Sequence, residues 1–471
     1  MKKRDSAHIR RLGTGLAASL PLIFVSLAGC GGSSSSDPVP APSSRTGTFG
    51  STAVAGLTYQ TGNQSTDATT ATTDEQGRFR YTANQNVSFS IGELVLGEAA
   101  GADNLTVVSI SAGAVSANEP GVTHKLMLLQ TLDADGDLNN GIQLTEQIRD
   151  AVSANAANLD FDQPTADFTT ALENLVADLD NAGAFSDTDP RARTLTDAAD
   201  ALEQFDRASS PRRIVDTADG RLSGFEADDN TWQFLGIPYA QPPLGDLRWR
   251  APQPLERWDD VRDATAWSDQ AAQNAALERF GEGGMSEDSL YLNVTAPKNA
   301  DGLPVMVWFH GGGFTALTSN TKPFNNPKAV ASKGVVQVSV NHRLGPFGYI
   351  AHPGLSAESG YNGSGNYGQM DLIAALEWVQ DNIAAFGGDP DNVTIFGESG
   401  GGRKVLSLMA SPEAAGLFHR AISQSGTLIP DTRSLVAAET IGSELQTNLG
   451  AASLTEMREK SWQEVVAAAA T

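Results

Sequence analysis

The sequence predicts an α/β protein. Its C-terminal half is a mostly parallel sheet with helices on both faces, preceded by a small β-sandwich and a helical segment. Three observations lead there. The runs "VMVWF" from Val305 and "VVQVSV" from Val335 are β-branched and apolar throughout, as expected of strands covered on both faces. "MDLIAALEWVQDNIAAF" from Met370 spaces its apolar residues for a helix, with Asp371 and Asp381 at polar positions. "NVTIFGESGGG" from Asn392 is a core strand running into a glycine-lined turn around Ser399.

From the N-terminus, Lys2, Lys3, Arg4, Arg10 and Arg11 precede an apolar stretch that ends in "LAGC". Its shortness and its Gly and Pro mark residues 1–30 as a secretory signal and not a membrane span. Cys30 is the one cysteine of the 471 residues, so no intramolecular disulfide is available. "LAGC" resembles the lipobox of bacterial lipoproteins. That resemblance implies lipidation at Cys30 and a lipid-anchored protein of the bacterial cell envelope; Gly31 after the cysteine favours the outer membrane. Residues 31–47 are small residues and proline, a tether with no expected structure.

Residues 48–118 alternate apolar and polar between Gly, Asn and Asp turns, which predicts the β-sandwich. "LTVVSIS" from Leu105 is expected as one of its strands. Residues 119–207 switch to helical spacing in four segments, from "HKLMLLQTL" to "TLTDAADALEQF". Between them, "LDADGDLNNGI" sets Asp133, Asp135 and Asp137 at alternate positions. Such carboxylates suit calcium, and a calcium-dependent interaction module is one reading of this region. Yet Gly136 precedes the third aspartate and no glutamate closes the loop, so an acidic turn between helices is the preferred reading. "RASSPRR" from Arg207 marks a boundary before the last region, 211–471.

Charge excludes one class of partner. Residues 46–210 hold 24 acidic and 7 basic side chains, and residues 211–471 hold 30 and 19. With a total of −24, the chain has no basic face to neutralise phosphates, so no nucleic-acid partner is expected.

Six landmarks in the last region are "FLGIPYAQPPLGDLRW" from Phe234, "SEDSLYLNV" from Ser286, "PVMVWFHGGGF" from Pro304, "VSVNHRLGPFGYI" from Val338, the stretch from Gly365 through "GESGGG", and "GLFHRAISQSG" from Gly416. Their order and spacing closely resemble the type-B carboxylesterases, the α/β-hydrolase branch that includes cholinesterases. The resemblance implies an ester hydrolase with Ser399 as nucleophile and the backbone N–H groups of Gly312, Gly313 and Gly400 as oxyanion hole. It also implies a small-molecule ester as substrate and neither metal nor organic cofactor. Glu398 is expected to support the site electrostatically, and His310 to be structural. Three departures from the family stand out. Ser289 replaces a usual cysteine, Gln369 and Leu372 look exchanged about Asp371, and Gly400 replaces a common alanine, a change expected to leave the N–H donor intact.

A serine needs a base. His8, His124, His310, His342 and His352 precede Ser399, and His419 alone follows it. Reading His419 as base with Glu413 as acid requires an abnormal topology. In α/β-hydrolases the acid and then the histidine come after the nucleophile, and the resemblance implies that both lie beyond residue 471. The chain is therefore expected to be a truncated, inactive form with an incomplete sheet and an exposed apolar edge. The alternative is a non-catalytic surface binding or adhesion lipoprotein with a vestigial hydrolase domain.

Overall fold

Val, Ile and Phe at successive positions put apolar side chains on both faces of a short strand, which only helices covering the sheet can bury, and the C-terminal half is built that way. The computed structural model describes residues 44–62, 69–185, 195–227, 230–274, 281, 283–322, 325–427 and 433–470. Cys30, the secretory segment and most of the tether lie outside these residues.

A nine-stranded sheet organises the C-terminal half. Its first strands, Arg212–Asp216, Arg221–Ala227, Thr231–Pro238 and Tyr291–Pro297, run antiparallel to their neighbours, and the last of them pairs antiparallel with Val336–Val340. From there the sheet is parallel: Val336–Val340, then Leu303–Phe309, then Gly388–Glu398, then Arg420–Gln424 at the edge. The short Val261–Asp263 pairs in parallel beside Arg221–Ala227. The expected parallel arrangement thus holds where the functional turn lies. The antiparallel half follows from its connections, since a four-residue turn after Asp216 allows only a hairpin, whereas a parallel crossover needs a dozen residues. The helix Tyr367–Asn382 buries Leu372, Ala375, Leu376 and Val379 against Val305, Val307, Val393 and Ile395 of the strands.

The N-terminal sandwich is present. One sheet holds Arg78–Thr82, Ser44–Phe49 and Asn104–Leu105; the other holds Thr69–Thr72, Thr58–Thr61, Asn86–Ile91 and Leu94–Ala100. Aromatic rings fill the space between them, with Phe49 4.5 Å and Phe79 5.2 Å from Phe89. Two local expectations change. The tether ends before Ser44, because Ser44–Thr48 find strand partners in Arg78–Thr82, a pairing that composition cannot reveal. A methyl at Gly47 would press on the Phe79 ring at 2.7 Å, which favours glycine there. "LTVVSIS" is not a strand over its length. Thr106 caps a one-turn helix, Val107–Ile110, by accepting from Ser109 N while the Ser109 hydroxyl accepts from Thr106 N.

The four helical segments are Pro120–Thr131, Glu146–Asn155, Thr165–Asn181 and Ala198–Ser209. They share one hydrophobic cluster with the sandwich, running from Phe49 through Leu128 and Phe168 to Ala201. Between the first two helices, the loop of Asp133, Asp135 and Asp137 is an acidic turn that grips the large sheet. Asp135 accepts from Asp137 N at 3.0 Å and from Asn140 Nδ2 at 2.8 Å, and Asp137 pairs with Arg262. Asn139, buried, donates to the carbonyls of Ala266 and Leu235 and accepts from the N–H groups of Thr265 and Ala266. Among the described residues no group of three or more His, Cys, Asp or Glu is placed to hold a metal ion.

At the other edge of the sheet, Arg420–Gln424 is largely exposed, with Ile422 at 44%. Two short helices, Leu454–Glu459 and Trp462–Ala469, end the described chain. Arg248 donates to the Met457 and Lys460 carbonyls and pairs with buried Glu287, tying these helices to the body. Among the described residues no helix is long and apolar enough to cross a membrane.

Candidate active site

Sheet register brings the two glycine motifs together. Phe309 lies opposite Gly397 in the parallel pair, so the chain leaves both strands side by side at their C-terminal ends. Ligand sites of open α/β sheets form at such ends. Ser399 is the residue between Gly388–Glu398 and the helix Gly400–Ala410. Its φ of 54° and ψ of −117° put a non-glycine residue in the left-handed half of backbone space. Such a conformation costs on the order of 1–3 kcal/mol and persists only where the surroundings enforce it. Here the enforcement is visible. Ser399 N donates to the Gln424 carbonyl at 2.8 Å, and Arg403 N donates to the Ser399 carbonyl. A methyl at Gly397 would come within 2.5 Å of Gly401, so strand and helix pass with backbones in contact. Ser399 itself is exposed.

Opposite it, Gly312 and Gly313 take φ of 78° and 66°. The two glycines serve different ends. A side chain at Gly312 would overlap the Ala316 carbonyl, while at Gly313 it would meet open space. At Gly400 a methyl would come within 2.5 Å of both Gly313 N and Gly313 Cα, so the glycine has a packing reason in addition to leaving its N–H as a donor. In this chain the loop and the turn touch through bare backbone. The N–H groups of Gly312, Gly313 and Gly400 make no other hydrogen bond among the described residues. Glu398 runs back along the loop: its Oε2 would stand 3.2 Å from a methyl on Gly311.

No described histidine hydrogen-bonds Ser399. His419 sits at the opposite end of the strand that leads to Ser399. Its N–H donates to the Val393 carbonyl and its Nδ1 accepts from Val393 N. Six residues of strand, about 20 Å at 3.3 Å per residue, separate Val393 from Ser399. Glu413 lies beyond the helix in Pro412–Ala414. His352 caps a helix through Gly354 N and meets Gln446, and His124 bonds Phe161 and Thr165 in the N-terminal half. His310 is buried under the loop with its Nδ1 3.1 Å from the Gly311 carbonyl, and burial together with Lys404 holds it neutral.

Sequence reading missed Lys404 and His342. Lys404 is wholly buried on the helix that starts at Gly400, and burial lowers its pKa to about 7. Its Nζ donates to the His310 carbonyl at 2.9 Å. His342 packs on His310 with ring centroids 4.7 Å apart, and neither of its ring nitrogens has a hydrogen-bond partner. One available signal was a lysine on the apolar face of a helix, five residues after the serine. One of the family departures is placed as well, since Ser289 Oγ donates to the Glu287 carbonyl, and Asp371, between Gln369 and Leu372, forms a buried bidentate pair with Arg343 at 2.6 and 2.9 Å.

The carboxylesterase family profile matches residues 211–471. The fumonisin B1 esterase of Sphingopyxis macrogoltabida is 44% identical over 259 residues, which are 54% of this chain and 47% of that one. The para-nitrobenzyl esterase of Bacillus subtilis is 43% identical over 230 residues, 48% of this chain and 46% of that one. A solved PNB esterase superposes with a TM-score of 0.50 at 39% identity, covering 55% of this chain and 54% of that one. The chain therefore spans about half the length of the relatives it matches.

Proposed function

Because this chain belongs to the carboxylesterase family, we propose that Ser399 is the nucleophile of a carboxylic ester hydrolase acting on small-molecule esters. The observation that carries the reading is the strained turn at Ser399, whose next residue Gly400 passes close to Gly313 of a loop whose glycine N–H groups make no hydrogen bond among the described residues. In the proposed reaction Oγ attacks the ester carbonyl carbon and the carbonyl oxygen takes the negative charge. Gly312, Gly313 and Gly400 N–H groups offset that charge, each donor lowering the barrier by roughly 3–4 kcal/mol. The tetrahedral intermediate collapses, the alcohol leaves with a proton, and water then releases the acid and frees Ser399. Glu398 adds a carboxylate beside Gly311 that shapes the field of the turn.

The serine requires a histidine to take its proton and an acid to orient that histidine. No described residue fills either role, so in this proposal both come from sequence outside these 471 residues. The test is to express the chain with whatever coding sequence follows codon 471 and assay p-nitrophenyl butyrate. Turnover that Ser399→Ala abolishes is expected; absence of turnover in the longest reading frame overturns the reading. The N-terminal motif supports lipid anchoring in the bacterial envelope, checked by fatty-acid labelling that Cys30→Ser removes.

A further inference from the structure

The glycines that make the loop approachable also leave it without side chains to hold it. Gly311, Gly312 and Gly313 can be pinned only from outside, through neighbouring carbonyls and through the residues at each end of the run. Two of those handles meet one group. Lys404 Nζ donates to the carbonyl of His310, the residue before the glycines, and lies 5.9 Å from the ring centroid of Phe314, the residue after them. Phe314 is itself held against Tyr349, centroids 4.9 Å apart, with the Arg403 guanidinium 5.2 Å from its ring centroid.

Stability alone does not account for Lys404. It is 0% exposed, and burial, with no offsetting carboxylate, dominates its environment. An unpaired buried ammonium is costly, and a leucine or methionine would fill the same space without that cost. The side chains nearest it share the pattern: His310 and His342 are both buried and both kept neutral. Polar groups that a core does not need, gathered under a reactive turn, are expected where function requires them.

We propose that Lys404 is a positioning residue for acyl transfer, bracketing the glycine run between the His310 carbonyl and the Phe314 ring so that the Gly312 and Gly313 N–H groups keep their places around the oxyanion. The inference rests on the ester-hydrolase reading of Ser399, and it adds a residue to that site. Lys404 touches neither substrate nor nucleophile; it acts through the loop. Its place on the nucleophile helix couples the two halves of the site, since a shift of that helix moves the bracket with the serine.

Lys404→Met keeps the volume and removes the donor and charge, and Lys404→Gln keeps a donor without the charge. In the hydrolytically active full-length chain, Lys404→Met is expected to lower kcat at least about tenfold with KM within threefold, because displaced donors weaken transition-state contacts first. Lys404→Gln is expected to recover part of that loss. Hydrogen–deuterium exchange of the 309–316 peptide provides a readout independent of turnover, and at least a threefold faster exchange in Lys404→Met is expected. Unchanged exchange together with unchanged kcat overturns the bracket. A drop in Tm with kcat and KM moving together and normal exchange also overturns it, since that describes a packing residue. If the parent chain shows no turnover, the ester-hydrolase reading fails while the exchange experiment still decides the bracket.

Discussion

Two sets of buried polar groups around the large sheet are treated in opposite ways. In the first set, each side chain is held by a charged or polar partner. Arg343 grips Asp371 bidentately and donates to the Arg250 carbonyl, Arg248 grips Glu287, Arg262 pairs with Asp137, and Asn139 uses all its bonding capacity. Under the Ser399 turn, among the described residues, Lys404 has one side-chain hydrogen bond and no carboxylate partner, and His342 has no partner for either ring nitrogen. Beyond them the strand Arg420–Gln424 is exposed. A satisfied network rigidifies and specifies a structure, whereas unsatisfied groups persist where something other than stability retains them. The first set therefore acts as scaffold, and the second lies under the turn for which the ester-hydrolase role is proposed.

The largest effect that would break this contrast is on the scaffold side. Asp371→Ala leaves the Arg343 guanidinium buried without its partner, and is expected to destabilise the protein by about 3–5 kcal/mol in denaturant unfolding. A loss below about 1 kcal/mol would place the pair outside the scaffold. Next in size, Asn139→Ala strips partners from Thr265, Ala266 and Leu235 backbone groups where the acidic turn meets the sheet. About 2–3 kcal/mol of lost stability is expected, read by the same measurement.

The smallest effect sharpens the contrast from the other side. Lys404 titrates at about 7 when folded against 10.5 unfolded, so from pH 7 upward the unfolded chain binds the extra proton and stability rises with pH. The burial cost of Lys404 is fully present below pH 7 and is relieved progressively as pH rises through 7 toward 10.5. His310 and His342, also lowered, act in the acid range below the ordinary histidine pKa of 6.5. Between pH 6.5 and 8 the wild-type chain is therefore expected to gain about 1 kcal/mol on Lys404→Met. Equal pH slopes for the two proteins would show that Lys404 is not the unpaired cation described.

Much of this was legible in advance. "VMVWF", "VVQVSV" and "NVTIF" are strands because β-branched residues pack on a pleated, doubly covered surface, and each is a strand here. The turn at Ser399 was legible because its pattern is local: serine, glycines, and a strand running into a helix within a dozen residues. The tether boundary and the "LTVVSIS" segment were misplaced for a common reason. Ser44 depends on partners 38 residues away, and Thr106 and Ser109 form a cap whose hydrogen bonds override an apolar alternation.

What the sequence by itself determined was most of the elements and the strand–turn–helix at Ser399, since periodicity, glycine placement and capping act over a few residues. Only the tertiary structure decided which groups meet. Register set Phe309 beside Gly397 and thereby the glycine loop against Ser399; packing brought Lys404 to a carbonyl 94 residues away and Asp137 to Arg262 across 125. Hydrogen bonds and ion pairs depend on position in space, and a local pattern carries no information about partners that distant along the chain.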